Sequence, residues 1–327
     1  MKIILASLTA GVFVFFWVVD SGYKYIPFSK SLGSEVYAKE DGATTTKKNF
    51  LTQAVLGFQK GEDKNVDIST STLISTTTPR IVTHIKPPEH VRSIYMSSWV
   101  AGTPSIRKRL VDMIDGTELN AVVIDVKDNT GVITWDGRVR DMDEFIDELH
   151  SKNIYVIARI AAFQDPLYVK KYPEQAVHSK KTGGIWKDHK GIPWVDTGSK
   201  DMWKYIENIS KDAYARGFDE INLDYIRFPT DGALSDMTFP VSGERAKTDK
   251  VGIVNDFYRY ITDELHKDGI PVSGDLFGII MITKVDIPVL GQDLHVALET
   301  FDYVAPMVYP SHFYAGTAGY QKPAANP

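Results

Sequence analysis

Gly217-Phe218-Asp219-Glu220-Ile221-Asn222-Leu223-Asp224-Tyr225-Ile226-Arg227-Phe228-Pro229 reads as a short strand that carries its chemistry at its far end. Side chains along a strand alternate between two faces, so Ile221 and Leu223 point one way while Asn222 and Asp224 point the other. The first face suits covering helices and the second a polar lumen, as in a parallel sheet packed by helices.

The same design recurs on both sides of this stretch. Short β-branched runs stand at 91–97, 119–126, 154–161, 271–277 and 302–309, with 219–225 among them. Amphipathic stretches alternate with the runs: Phe145, Ile146 and Leu149; Met202, Tyr205, Ile206 and Ile209; Phe257, Tyr260, Ile261 and Leu265. Their i, i+3, i+4 spacing marks one face of a helix. Strands alternating with helices predict an α/β protein with a parallel sheet. An open doubly wound sheet would place a glycine-rich phosphate loop after its first strand, but Tyr95-Met96-Ser97-Ser98-Trp99 stands there. The expected fold is a (β/α)₈ TIM barrel, with six strands and five crossover helices legible in residues 89–327.

Nearly every strand ends in a charged or hydrogen-bonding residue: Asp125 and Lys127, then Arg159, Asn222 and Asp224, Asp275, and Tyr309. In a barrel these ends converge on one mouth, where active sites of the fold sit.

Residues 217–229, with Val122–Asp128 (VVIDVKD), Ile192–Trp203 (IPWVDTGSKDMW) and Ala305–Phe313 (APMVYPSHF), resemble an uncharacterised bacterial family described as a putative glycosyl hydrolase domain. The resemblance covers roughly residues 91–327. It implies a TIM barrel related to the amylase and α-galactosidase group, in which an aspartate ending the fourth strand is the usual nucleophile. Asp224 is the matching position. In that family the barrel continues past the Tyr-Pro-Ser-His motif, whereas this chain ends 18 residues after Tyr309. The resemblance therefore implies a barrel truncated at its C-terminus, with about six of eight strands, an open edge and a tendency to aggregate.

The expected catalytic pair is Asp224 as nucleophile and Asp275 as general acid/base. Retaining glycosidases hold two carboxyl groups about 5–5.5 Å apart and inverting ones about 6.5–9.5 Å apart. Neighbouring strands lie about 4.8 Å apart, so carboxylates on the fourth and fifth strands suit retention. Asp125, Lys127, Arg159, Asn222 and Arg227 are expected to hold sugar hydroxyls or tune the carboxylates. Trp99, Trp194 and Tyr309 are expected to offer aromatic faces to sugar rings, with Trp135 and Trp186 on the same rim. The long connection from Phe163 to Lys200 reads as a substrate lid. The expected activity is hydrolysis of an extracellular or cell-envelope poly- or oligosaccharide. A second reading treats Asp125, Arg159 and Asp224 as an ion-pair network that only satisfies buried charge, in a non-catalytic glycan-binding or envelope-organising barrel.

Composition narrows the alternatives. There is no cysteine, which excludes disulfides, thiolate metal sites and cysteine nucleophiles. The eight histidines show no HxxxH or HExxH spacing, so neither a metal nor a cofactor is expected. The 37 basic and 42 acidic residues are interleaved, giving a net charge of −5 and no basic face for nucleic acid.

Ile3 to Val19 is an unbroken run of apolar and small residues, at the low end of length for a spanning helix and above the usual signal-peptide core. The competing reading is a signal cleaved after Val36-Tyr37-Ala38. Residues 1–24 are thus expected to form a transmembrane anchor or signal, and 25–88 a polar, largely disordered Ser/Thr-rich linker. Residues 89–327 would form the barrel outside the cytoplasm, either single-pass at the cell membrane or secreted.

Overall fold

The computed structural model describes residues 2–3, 80–284 and 286–326. Apart from Lys2–Ile3, the segment expected as anchor or signal lies outside the described residues, as does the linker up to residue 79. Among the described residues no helix is long and apolar enough to cross a membrane.

Six parallel strands build one sheet: β1 (Ser93–Met96), β2 (Ala121–Lys127), β3 (Tyr155–Ala161), β4 (Glu220–Asp224), β5 (Val272–Phe277) and β6 (Tyr303–Met307). Each pairs with its neighbour in sequence, in the order β1-β2-β3-β4-β5-β6, and Lys2–Ile3 lies parallel beside β6. Parallel strands require a crossover, and helices supply it: α1 (Pro104–Asp115), α2 (Met142–Ser151), α3 (Lys200–Ala215), α4 (Lys250–His266) and α5 (Leu294–Thr300). All six expected strands and all five crossovers are present.

The helices begin where their caps dictate. Ser199 accepts from the Met202 N–H to start α3, and Asp249 accepts from the Gly252 N–H at 2.8 Å to start α4, each satisfying a donor the helix itself cannot. The periodic residues Met202, Ile206 and Ile209 of α3 and Phe257, Ile261 and Leu265 of α4 are buried. They join Val122, Ile124, Val156, Ala158, Ile221, Leu223 and Val272 from the outer face of the sheet in one core. Trp203 of α3 packs at 5.5 Å from both Phe257 and Tyr260 of α4, locking adjacent crossovers together.

The inner face is different. Its lower end is a small apolar cluster of Ala121, Tyr155 and Ile157, against which Ile85, Val91 and Val123 pack. Below it, a side chain just ahead of every second strand pins the strand before it. Asn120 accepts from Arg92 N–H at 2.8 Å, Asp219 from Val156 N–H at 2.8 Å, and Asp302 from Val272 N–H at 2.8 Å. Asp219 is fully enclosed; it also accepts from Ile85 N–H at 2.7 Å and meets His150 Nε2 at 3.0 Å. This is the face opposite the strand ends, where a barrel keeps stability rather than chemistry.

Candidate active site

Strand register stacks the inner-face residues in tiers. Ser93, Ala121 and Tyr155 are aligned at the bottom, and Tyr95, Val123, Ile157 and Glu220 in the tier above them. Asp125, Arg159, Asn222, Ser273 and Tyr303 form the middle one. Asp224, paired with Ala161, stands in the top tier, and Asp275 is the residue after the Leu223–Gly274 pair on the next strand. Four strand ends thereby deliver Asp125, Arg159, Asn222, Asp224 and Asp275 to one place.

Arg159 is the hub. Its Nη1 donates to Asp125 Oδ1 at 2.6 Å, its Nη2 donates to Asp224 Oδ2, and its Nε lies 3.9 Å from Asp275 Oδ2. Tyr95 donates its hydroxyl to the other oxygen of Asp125. Asn222 Nδ2 donates to Asp275 Oδ1 at 2.9 Å and to Ser273 Oγ at 3.1 Å. One guanidinium therefore faces three largely buried carboxyl groups, and its charge cannot offset all of them. Burial, reinforced by the charge of Asp224 and opposed by Arg159, raises the Asp275 carboxyl to about 7. Burial also raises Asp125, against the pull of Arg159 and Tyr95.

Asp224 has a distinct setting. The next residue, Tyr225, adopts the left-handed backbone region at φ 55°, which costs a non-glycine residue about 1–2 kcal/mol. That turn aims the Tyr225 N–H back at Asp224 Oδ1, 2.6 Å away. With Arg159 on its second oxygen, Asp224 receives two donors suited to a carboxylate, while Asp275 receives one and lies beside an anion. Two adjacent carboxyl groups in unlike settings, one of them raised to about 7, are an arrangement suited to acid/base chemistry.

Lys127 does not join this cluster. Strict alternation would put it on the face of Asp125, but the register shifts between the two, so that Lys127 pairs with Ile160 instead of Ala161. A bulge of this kind turns the side chain to the opposite face. Lys127 is fully enclosed there, donating to the Ala161 carbonyl and lying 3.0 Å from Asp165 Oδ2. It has no surface to offer a sugar.

The aromatic rim is likewise divided. Trp99 is 68% exposed beside the end of β1, with the Arg138 guanidinium 4.8 Å from its ring centre. Tyr309 is partly exposed after β6, its ring 5.3 Å from that of His312. Trp194 is buried, its indole N–H donating to Asp188 at 3.2 Å, and Trp186 is buried against Gly232. Arg227 lies over Trp194 at 4.9 Å and Phe277 at 4.6 Å and bonds Thr230 and Asp231, so it braces the loop after β4. The 163–200 connection expected as a lid is held down rather than loose. Asp188 accepts from Gln164, Lys190 N–H, Ile192 N–H and Trp194, while Asp196 accepts from the N–H groups of Gly198, Val241 and Ser242.

Three residues of the site were not singled out by sequence reasoning: Tyr95, Glu220 and Ser273. Glu220 and Ser273 fall on the same two-residue repeat as Asn222, Asp224 and Asp275, and that repeat was the signal available. Tyr95 sits below a strand end, where reading only the ends misses it.

Comparison with known proteins sets this geometry in context. A hypothetical protein from Ruminiclostridium thermocellum is 34% identical over 56% of this chain and 96% of its own, with a TM-score of 0.49. The glycoside hydrolase domain of PgaB (BpsB) from Bordetella bronchiseptica is 16% identical over 68% of this chain and 75% of its own, with a TM-score of 0.50, a likeness of fold. The α-galactosidase TtGalA from Thermus thermophilus is 14% identical over 67% of this chain, which spans 44% of that enzyme's length, with a TM-score of 0.43. No curated protein matches. Residues 93–327 match a family model, and by that match the chain belongs to the family described as Putative glycosyl hydrolase domain.

Proposed function

We propose that this chain is a retaining glycoside hydrolase whose six strands are consecutive strands of a (β/α)₈ barrel, acting on a poly- or oligosaccharide. The observation that carries the reading is the unequal pair at adjacent strand ends: Asp224 held by two donors, and Asp275 raised to about 7. In the first step an Asp224 oxygen attacks the anomeric carbon while Asp275 gives its proton to the departing glycosidic oxygen. In the second, Asp275 takes a proton from water, whose oxygen displaces Asp224 from the anomeric carbon with net retention. Asp125 and Arg159 orient the nucleophile, and exposed Trp99 and partly exposed Tyr309 are placed for stacking on sugar faces.

Binding without cleavage is the rival reading, favoured by one observation: both oxygens of Asp224 already accept hydrogen bonds from the protein. Proton NMR of a panel of oligosaccharides incubated with the protein decides between them. Release of the retained anomer, lost in Asp224→Asn, supports the hydrolase. Saturable binding with no cleavage by the wild-type protein supports the rival.

The domain is proposed to work outside the cytoplasm, tethered by the apolar run Ile3–Val19 through the linker to residue 88, or released after cleavage of that run. Cell fractionation with protease added to intact cells tests this; recovery in the soluble cytoplasm rejects both forms.

A further inference from the structure

Below the carboxylate pair lies a chain of hydrogen bonds that the chemistry above does not use. Tyr155 donates to Glu220 Oε2 at 3.0 Å, and Ser273 donates to Glu220 Oε1 at 2.6 Å. Ser273 Oγ in turn accepts from Asn222 Nδ2, whose second hydrogen goes to Asp275 Oδ1. Tyr155, Glu220, Ser273 and Asn222 are all buried, so no water is needed to close the chain.

The direction of these bonds has a consequence for Asn222. A serine hydroxyl has one proton, and Glu220, which burial raises to about 7, takes it whenever it is ionised, so Ser273 then can only accept from Asn222. The amide nitrogen must therefore face both Ser273 and Asp275. Were the amide to flip, its carbonyl oxygen would confront a lone pair of Ser273. With the nitrogen fixed, Asp275 Oδ1 is always an acceptor, and since a carbonyl oxygen accepts better than an acid's hydroxyl oxygen, the proton is favoured on Oδ2, the oxygen on the side of Arg159. Without the lock, the carbonyl of Asn222 could accept an Oδ1–H, which would stabilise the acid form and aim its proton back into the protein.

We infer that Glu220 is a positioning residue that acts through Ser273 to fix the Asn222 amide and so directs the Asp275 proton to Oδ2, the oxygen on the side of Arg159. The inference rests on Asp275 being the acid of the proposed reaction, but its test does not. The charged and titratable groups facing Asp275 are Asp224 and Glu220 on β4 and Arg159 on β3; those facing Glu220 include Tyr155, Asp219, Asp302 and Tyr303.

The experiment is a pH titration followed by carbon-13 NMR of aspartate-labelled protein, with the Asp275 signal assigned as the one missing from Asp275→Asn. Ser273→Ala removes the lock without altering charge, and Glu220→Leu frees the serine proton and removes a negative charge. Both are expected to move the Asp275 titration upward, by about half to one pH unit for exchange of one hydrogen bond. Ser273→Thr, which keeps the hydroxyl, should restore the wild-type value. The upward shift in Glu220→Leu is the telling sign, because loss of a neighbouring negative charge alone would shift Asp275 downward. A downward or unchanged titration in Glu220→Leu overturns the inference, and if that variant does not fold, an unchanged titration in Ser273→Ala does so. The alkaline limb of glycan hydrolysis should follow the NMR shift. If no glycan is cleaved, the hydrolase reading fails while the titration still judges the lock.

Discussion

Arg159 and Asp224 stand on neighbouring parallel strands and are joined at their tips, the guanidinium Nη2 donating to the carboxylate Oδ2 from one tier below. Because the same guanidinium also holds Asp125, its removal strands two buried carboxylates at once. Arg159→Met is expected to lower stability by about 3–5 kcal/mol, the usual cost of breaking a buried pair from one side. Arg159→Lys should recover part of it, since an ammonium keeps the charge but cannot span both acids in the same geometry. Urea denaturation of both variants measures this, and a loss under 1 kcal/mol in Arg159→Met would show that water already solvates these acids.

Asp275 makes stability depend on pH in a predictable direction. Its folded-state value of about 7 lies above the unfolded carboxylate value, so the folded protein keeps a proton that the unfolded chain releases. The contribution is complete below about pH 4 and is lost as pH rises through 7. Asp275→Asn lacks this penalty. Its stability relative to wild type should improve from pH 5 to pH 7.5, by at most about 1.4 kcal/mol per pH unit. Parallel denaturation curves across that range, with a constant difference between the two proteins, would contradict it.

Lys127 was expected to touch sugar and instead neutralises Asp165 behind the sheet. Lys127→Met should therefore cost about 3–5 kcal/mol through the uncompensated aspartate, and Lys127→Met with Asp165→Leu should recover most of that loss. Glycan KM is expected to stay within about twofold in whatever fraction folds, since the side chain has no access to the mouth. A KM raised tenfold with stability unchanged would return Lys127 to the binding surface.

Asp219 predicts the opposite division of labour from Asp224, though only five residues separate them. It accepts backbone N–H bonds from Ile85 and Val156 and meets His150, all at the floor of the sheet. Asp219→Ala should lower stability by about 3 kcal/mol or more, from the loss of charge-assisted bonds that leaves buried donors unmet. Amide hydrogen exchange should accelerate first at Ile85 and Val156, while kcat of the folded protein remains near wild type. Unchanged exchange at both amides would show that Asp219 holds neither.

The alternation of Ile221 and Leu223 with Asn222 and Asp224 made the sheet legible, because burial on one face imposes the two-residue period directly on composition. The cluster of Asp125, Arg159, Asn222, Asp224 and Asp275 followed from that period alone. Lys127 did not, since a bulge leaves no mark on the pattern of residue types: VVIDVKD reads the same with or without it. Trp194 and Arg227 also looked like rim residues. Their burial depends on how the 163–200 and 225–232 segments fold onto each other, and such long-range packing has no local signature. Glu220 was passed over for the reverse reason, as a carboxylate at the start of a strand is ordinarily a solvated end.

The consecutive strand order gives the charges of this site a sequence of arrival as the chain emerges during synthesis. Asp125 comes first, and Arg159, 34 residues later, neutralises it when β3 docks on β2. β4 then brings Asp224 to the unused side of the same guanidinium, so a second carboxyl group shares one cation. When β5 adds Asp275, Arg159 is already shared between Asp125 and Asp224 and stands 3.9 Å from the newcomer. In the finished wall the order of arrival leaves no trace: burial and the charge of Asp224, opposed by Arg159, hold the proton on Asp275.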